Sequence, residues 1–198
     1  QYVEKSRPPP RFLYASSSSV YGLNKKIPFS ELDPVDTPSN LYGATKAANE
    51  LIAHSYHHLY GITTIGFRFF TVYGPFGRPD MAASLFAEKI VRNQPITLFD
   101  HGDMQRDFTY VDDIVRGVTA AVQRKEDDKN IVYNLGNTHP VKTSYFLSVI
   151  ESLLGKKANY VHKQSLGEMA ITFSNITLAQ QNLNYAPQVS IEDGLSKF

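Results

Sequence analysis

The sequence has no cysteine among its 198 residues, which excludes disulfide bonds and thiolate chemistry and leaves zinc only histidine and carboxylate ligands. It has no apolar run near the roughly 18 residues that a membrane span needs, and no signal-peptide pattern. No charge is in large excess either, since 20 lysines and arginines stand against 19 aspartates and glutamates, scattered along the chain. These absences argue against a nucleic-acid-binding or membrane-binding surface and favour a globular protein of a reducing compartment.

Strand-like runs rich in β-branched and aromatic residues alternate with stretches of helical periodicity along the chain. The predicted strands are residues 12–16, 63–70, 96–99, 131–135 and 158–162. The predicted helices are residues 41–59, 82–92, 111–123 and 143–154. This alternation predicts an α/β protein whose parallel strands are joined by crossover helices. Capping patterns that start at Thr177 and Ser190 predict two short helices near the end of the chain.

The stretch "YASSSSVYG", residues 14–22, places four serines where the first predicted strand ends, and Tyr42 and Lys46 follow on the next predicted helix. Residues at i and i+4 project from one helix face, so the ammonium of Lys46 can stabilise the phenolate form of Tyr42. Together with Ser17 at the strand end, the pair could remove a proton from an alcohol. The alternative, which a tyrosine-lysine pair standing alone would favour, is a packed tyrosine beside a solvated lysine.

Several stretches, in order along the chain, resemble the extended short-chain dehydrogenase/reductases of the NAD-dependent epimerase/dehydratase family. Within that family the resemblance is strongest to the UDP-glucuronate 4-epimerases. The stretches read "YASSSSVYG", "LYGATKAANE", "GFRFFTVYGPFGRPDMA", "RDFTYVDDIVRGV" and "YNLGN". The resemblance implies a Rossmann-like doubly wound sheet, with its N-terminal part missing, and a small C-terminal α/β substrate-binding lobe. It places the C-terminal part of the NAD-binding domain in residues 1–75 and the substrate lobe mainly in residues 76–198, with 106–136 returning to the NAD-binding domain.

By this resemblance the protein is expected to use NAD and to invert C4 of a UDP-sugar through a 4-keto intermediate. Tyr42 is then the general base and Lys46 holds the nicotinamide ribose. Ser17 supplies a hydroxyl and completes the catalytic triad of these three residues. The same resemblance places the backbone of Phe69 against the nicotinamide amide. Tyr42, Lys46 and Phe69 therefore form the expected cofactor-binding set, and no metal is expected.

The resemblance also implies a substrate-binding set. Related dehydratases and UDP-xylose synthases carry an acid at one or both places of Ser18 and Ser19, whereas hydroxyls there favour epimerisation of a sugar that carries a carboxylate. Thr71 is a further matched hydroxyl, and Arg78 offers a planar, permanently charged fork for that carboxylate. Arg106 matches a residue that contacts the pyrophosphate in the family.

Asp107, Asp112 and Asp113 could be read as a metal cluster. We prefer a structural interpretation, because the latter two fall in the first turn of a predicted helix, where negative charge is stabilised by the helix dipole.

The sequence departs from the family by lacking any G-x-G-x-x-G or G-x-x-G-x-x-G pattern for the cofactor phosphates. Because that pattern precedes the serine strand in the family, we expect this chain to be the later part of a longer enzyme. The complete protein is expected to form a homodimer through the helix of Tyr42, without nucleic acid and without membrane contact within this chain. We expect a cytoplasmic location, or a Golgi membrane location if an anchor precedes the chain. The alternatives are another epimerase, dehydratase or decarboxylase of the family, and a non-catalytic fragment that binds nucleotide sugars.

Overall fold

Helices and strands alternate along the chain in the computed structural model, which describes residues 10–124, 129–165 and 169–198. The helices are α1 Leu41–Tyr60, α2 Ala82–Val91, α3 Val111–Gln123, α4 Thr143–Leu154, α5 Thr177–Leu183 and α6 Ile191–Ser196. The strands are β1 Phe12–Ser17, β2 Thr64–Phe69, β3 Thr71–Tyr73, β4 Pro95–Phe99, β5 Gln105–Arg106, β6 Phe108–Tyr110, β7 Asn130–Leu135, β8 Val141–Lys142, β9 Asn159–Lys163 and β10 Ile171–Thr172. The predicted α/β class is confirmed, and the predicted long elements match the observed ones to within one or two residues at each end.

Two units of the chain are distinguished by their internal contacts. The first unit comprises Gln1–Phe70, Val115–Leu135 and Ser174–Ala186, and the second comprises Thr71–Ile114, Gly136–Phe173 and Pro187–Phe198. The domain boundaries that the sequence predicts, at residue 75 with a return over 106–136, stay a prediction. Among the described residues, no helix combines the length and the apolar character that crossing a membrane requires.

The first unit is built on a parallel sheet with strand order β1-β2-β7. The central strand β2 is almost continuously buried, which is the pattern of a parallel strand covered on both faces. The register pairs Ser17 of β1 with Phe69 of β2, and Phe69 with Leu135 of β7, so the three strands end level with one another. Ligands of open parallel sheets bind outside this carboxyl edge.

Helix α1 has clear local signals at both ends. The side chain of Asn40 accepts a hydrogen bond from the backbone N–H of Gly43 at 2.8 Å, which satisfies one of the free donors at the helix start. Gly61 ends the helix with a left-handed backbone (φ 64°), a conformation that glycine adopts without a steric penalty. The Asn40 cap fixes where the turns that carry Tyr42 and Lys46 begin, and Gly61 fixes where the helix ends.

The second unit packs helices and short strands around an aromatic core. Parallel pairs β3-β6 and β4-β9 accompany the three-stranded sheet β10-β5-β8. Phe108 and Phe146 stack with ring centroids 4.0 Å apart, and Tyr73 meets Phe146 edge-on at 5.6 Å. These residues belong to one buried cluster of thirteen, so the core of this unit is formed by its own residues.

The two short helices near the end are present, but only one begins as predicted. Ser190 caps α6 and accepts a hydrogen bond from the N–H of Asp193 at 3.0 Å. The predicted cap at Thr177 is wrong, because α5 already includes Thr177 and Ile176 occupies the cap position. The side chain of Asn175 accepts a hydrogen bond from the backbone N–H of Thr177 at 2.9 Å. Asn175, and not Thr177, therefore satisfies a free donor at the start of α5.

Candidate active site

The four serines turn the chain at the carboxyl end of β1. Ser17 keeps an extended backbone and caps the 3-10 turn Ser18–Tyr21 that follows. Its Oγ accepts from the N–H of Ser19 at 3.2 Å and donates to the Ser19 Oγ at 3.2 Å. Ser17 is buried whereas Ser18 and Ser19 are half-buried. One serine therefore shapes the turn, and the next two present hydroxyls at the edge of the sheet.

Tyr42 and Lys46 lie in the first two turns of α1. The Nζ of Lys46 is 5.6 Å from the ring centroid of Tyr42, and the ring is 53% exposed. The same Nζ donates to the backbone oxygen of Ala15 at 3.0 Å, two residues before Ser17. The ammonium thus lies beside the phenol and is anchored to the strand that ends in the serines.

Gly43 allows α1 to approach the 3-10 turn Ser18–Tyr21, called the serine turn below, closely. A Cβ at this position would lie only 2.6 Å from the backbone oxygen of Ser19 and 3.2 Å from its carbonyl carbon. Any side chain larger than hydrogen would therefore push the helix away from the turn. The only signal of this requirement in the sequence is a glycine between the candidate base and its lysine, and spacing alone does not predict the close approach.

Phe69 ends β2 directly opposite Ser17 in the register. Its backbone therefore lies at the same carboxyl edge as the serines. The contact with the nicotinamide amide that the resemblance implies stays a prediction.

Two of the predicted substrate-binding residues meet in the second unit. Thr71 and Arg78 line one small cavity of about 20 Å³, which has room for about one water molecule. The guanidinium of Arg78 is engaged by Asp80, with Nε to Oδ1 at 3.0 Å and Nη2 to Oδ2 at 2.5 Å. This hydrogen bonding lowers the pKa of Asp80. The fork expected to hold a substrate carboxylate is thus bound to a carboxylate of the chain itself, which the sequence analysis missed.

Arg106 lies on β5 in the second unit and is half-buried. Its Nη1 donates to the backbone oxygens of Gln105 and Met169, at 3.0 and 2.9 Å. These bonds fix the guanidinium against the backbone. Its predicted contact with a pyrophosphate stays a prediction.

Two of the three acidic residues considered as a metal cluster accept hydrogen bonds from backbone amides. Asp107 accepts from the N–H groups of Asn137 and Thr138, and Asp113 accepts from those of Gln188 and Val189. Asp112 and Asp113 do fall in the first turn of α3, as the sequence predicts. Over residues 10–124, 129–165 and 169–198, no three histidine, aspartate or glutamate side chains come together as a metal site.

The structure therefore brings the predicted residues together in two sets. Within the first unit, Ser17, Ser18, Ser19, Tyr42, Lys46 and Phe69 belong to β1, the serine turn, α1 and β2. Within the second unit, Thr71 and Arg78 share a cavity, and Arg106 lies on a separate strand.

Comparison with known proteins identifies the family to which this chain is similar. Residues 1–136 match the NAD dependent epimerase/dehydratase family. The chain is 47% identical to UDP-glucuronate 4-epimerase 5 of Arabidopsis thaliana over 99% of this chain and 49% of that protein. It is 45% identical to protein CapI of Staphylococcus aureus over 94% of this chain and 61% of that protein. The chain thus spans about half the length of the curated relatives it matches.

A solved structure shares the fold. The UDP-glucuronic acid 4-epimerase of Bacillus cereus, in complex with UDP-glucuronic acid and NAD, superposes with a TM-score of 0.87 at 38% sequence identity. The match covers 94% of this chain and 59% of that one. The order of strands and helices around the serine turn is thus that of a nucleotide-sugar enzyme of known structure.

Proposed function

Because this chain belongs to the NAD dependent epimerase/dehydratase family, we propose that the protein inverts C4 of UDP-glucuronate to give UDP-galacturonate through a 4-keto intermediate. The observation that carries the proposal is the Lys46 ammonium, 5.6 Å from the Tyr42 ring and bonded to the strand that ends at Ser17. In the proposal, the first unit holds the nicotinamide end of the cofactor and the second unit holds the nucleotide sugar.

The residues present fit one end of NAD. A phenol and an ammonium side by side at a carboxyl sheet edge match the hydroxyls of a ribose in donor and acceptor chemistry. Lys46 and Tyr42 would hold that ribose, and the backbone of Phe69 would meet the nicotinamide amide. NAD, when bound, supplies a hydride acceptor and donor for C4 of the sugar.

Tyr42 carries the proton in this mechanism. The oxygen of Tyr42, beside the Lys46 ammonium, takes the proton of the sugar 4-OH and returns it to the same sugar oxygen once C4 has been inverted. The Ser17 hydroxyl hydrogen-bonds the same sugar oxygen and holds it towards Tyr42. Because Ser17 is fixed by Ser19 as the cap of the turn, its hydroxyl is held in place before the substrate arrives.

Retention of the carboxylate is the harder part of the chemistry, because a 4-keto uronate is a β-keto acid that tends to lose carbon dioxide. In the proposal, the hydroxyls of Ser18 and Ser19 hold the carboxylate so that the C–C bond to it overlaps poorly with the C4 carbonyl. Thr71, in the second unit, is a further substrate-binding hydroxyl. Arg78 would supply the positive charge that binds the carboxylate. To do so, its guanidinium must release the carboxylate of Asp80 and bind that of the substrate. In the proposal, Arg106 holds the pyrophosphate.

We also propose that the protein is a homodimer that pairs through α1. Large apolar side chains on this helix face the solvent in the chain as described, among them Leu51, Ile52, Tyr56 and Leu59, each more than half exposed. Exposed apolar surface of this kind marks interaction sites. Ile52→Lys should convert the dimer to a monomer in sedimentation velocity, and an unchanged dimer would contradict this interface.

The uronate assignment is tested with Arg78→Ala in the protein expressed from the whole gene. Loss of a charged hydrogen-bonding partner should raise the KM for UDP-glucuronate by about 10- to 100-fold and leave turnover of UDP-glucose nearly unchanged. Arg92→Ala is the matched control, since Arg92 is an exposed arginine of the same unit that pairs with Glu88. Equal losses on both sugars would contradict the carboxylate role of Arg78.

A further inference from the structure

A buried ion pair lies behind the candidate catalytic residues, and the mechanism above does not use it. Arg68, the next-to-last residue of β2, is 4% exposed, and Glu50 of α1 is 9% exposed. The Arg68 Nε donates to Glu50 Oε1 at 2.9 Å, and Nη2 donates to Oε2 at 2.7 Å. Such a two-pronged pair fixes both the distance and the angle between the helix and the strand.

Glu50 is joined to both parts of the catalytic set. It follows Lys46 by four residues and Tyr42 by eight, so the three lie on successive turns of α1. Its Oε1 also accepts from the Oγ of Ser16 at 2.5 Å, and Ser16 is the residue before Ser17. One carboxylate therefore connects the helix of the base with the strand of the serine.

Arg68 reaches the end of the serine turn through its remaining nitrogen. Its Nη1 donates to the hydroxyl of Tyr21 at 3.0 Å, and the guanidinium lies 4.8 Å from the centroid of the Tyr21 ring. Tyr21 is the last residue of the turn that begins just after Ser17, and its hydroxyl donates to Asn134 of β7 at 2.6 Å. Burial, opposed by Arg68 and Asn134, raises the pKa of Tyr21 to about 12, so this hydroxyl keeps its proton near neutral pH.

Stability alone does not account for this arrangement. Burying two charges has a large desolvation cost, and well-packed apolar residues in place of a buried ion pair are often as stable or more so. What apolar residues cannot supply is a directed link among the serine turn, the strand and the helix. Here that link runs through Ser16, Glu50, Arg68, Tyr21 and Asn134.

We propose that Glu50 and Arg68 are positioning residues that hold α1 against the serine turn, so that Tyr42 and Ser17 address one substrate oxygen. The inference rests on the proposed function for its catalytic meaning, while its structural content can be measured without turnover.

The test compares variants of the protein expressed from the whole gene. The single variant Arg68→Met would leave the Glu50 charge buried without its partner and could prevent folding, so the double variant Glu50→Met with Arg68→Met is used. Arg68→Lys is added because lysine keeps the charge but loses the fork. Lys26→Met is the control, since it removes an ion pair with Asp33 elsewhere in the same unit.

We expect the double variant to fold with a Tm near or above that of the wild type, and Arg68→Lys to fold with a lower Tm because it loses the fork. Their kcat should fall by about 10- to 100-fold with KM within about twofold, because the reacting groups are misplaced while substrate binding is kept. Amide hydrogen exchange of residues 18–21 and 41–46 should accelerate in the double variant and stay unchanged in Lys26→Met. Wild-type kcat and exchange in a folded double variant, or failure of that variant to fold, would overturn the inference. If the wild type does not turn over UDP-glucuronate, the proposed function fails, and the exchange data still decide whether the pair positions the helix.

Discussion

Gly43→Ala should damage catalysis although it leaves every candidate catalytic side chain in place. The new Cβ would lie 2.6 Å from the backbone oxygen of Ser19, roughly 0.8 Å inside an ordinary contact of about 3.4 Å. Because the obstacle is backbone, either α1 or the serine turn has to move by a comparable distance. Tyr42 and Lys46 would move with the helix, whereas Ser17 belongs to the strand.

A misplacement approaching 1 Å can cost about 10²-fold in rate. We therefore expect kcat of Gly43→Ala to fall by about 10- to 100-fold. The free energy of unfolding should fall by less than the steric strain alone would cause, because alanine favours a helix interior by about 1 kcal/mol relative to glycine and partly offsets that strain. Steady-state kinetics with UDP-glucuronate and thermal denaturation measure the two effects. Lys25→Ala, an exposed change in the same unit but outside α1, is the control and should match the wild type. A wild-type kcat for Gly43→Ala would refute the claim that the contact between helix and turn sets the catalytic geometry.

Three further predictions concern single side chains. Tyr42→Phe should lower kcat by about 10²- to 10⁴-fold and leave UDP-sugar binding by calorimetry nearly unchanged, because only the proton-transfer group is lost; a comparable loss of binding would contradict the role of the base. Asp80→Asn should lower the KM for UDP-glucuronate by roughly two- to fivefold, because Asp80 no longer competes for the fork of Arg78; an unchanged KM would mean that the exposed pair does not compete. Burial raises the pKa of Glu151, but hydrogen bonds from Ala158, Tyr160 and Lys157 outweigh it and the net shift is downward. The ionised form of Glu151 therefore stabilises the fold above pH 4.5, and this stability is lost as the pH falls through the lowered pKa. The Tm of the wild type should exceed that of Glu151→Gln at about pH 7, and this difference should shrink at about pH 4.

Local signals made the long elements predictable. Asn40 and Gly61 bracket α1, and a run rich in β-branched and aromatic residues marks β2 as a strand. The prediction failed at Thr177, where two nearby side chains could both cap the helix. Asn175, two residues earlier, accepts the hydrogen bond instead. The strands of two or three residues, such as β5 and β8, are too short to show any periodicity.

The candidate site was predictable where it follows from spacing along one element or from a motif. Tyr42 and Lys46 are one helical turn apart, and this spacing places the ammonium beside the ring. The partners of the arginines were not predictable in this way. Glu50 and Arg68 are eighteen residues apart and meet only because α1 packs on β2. Asp80 is only two residues from Arg78, but its choice of partner depends on the loop conformation.

The proposed reaction is tested most directly by its product. The protein expressed from the whole gene would be incubated with UDP-glucuronate and NAD, and the nucleotide sugars identified by chromatography and mass spectrometry. The proposal predicts UDP-galacturonate at unchanged mass, with the carboxylate retained by the hydroxyls at Ser18 and Ser19. A UDP-pentose formed with loss of carbon dioxide, or no conversion by protein that binds NAD, would contradict it.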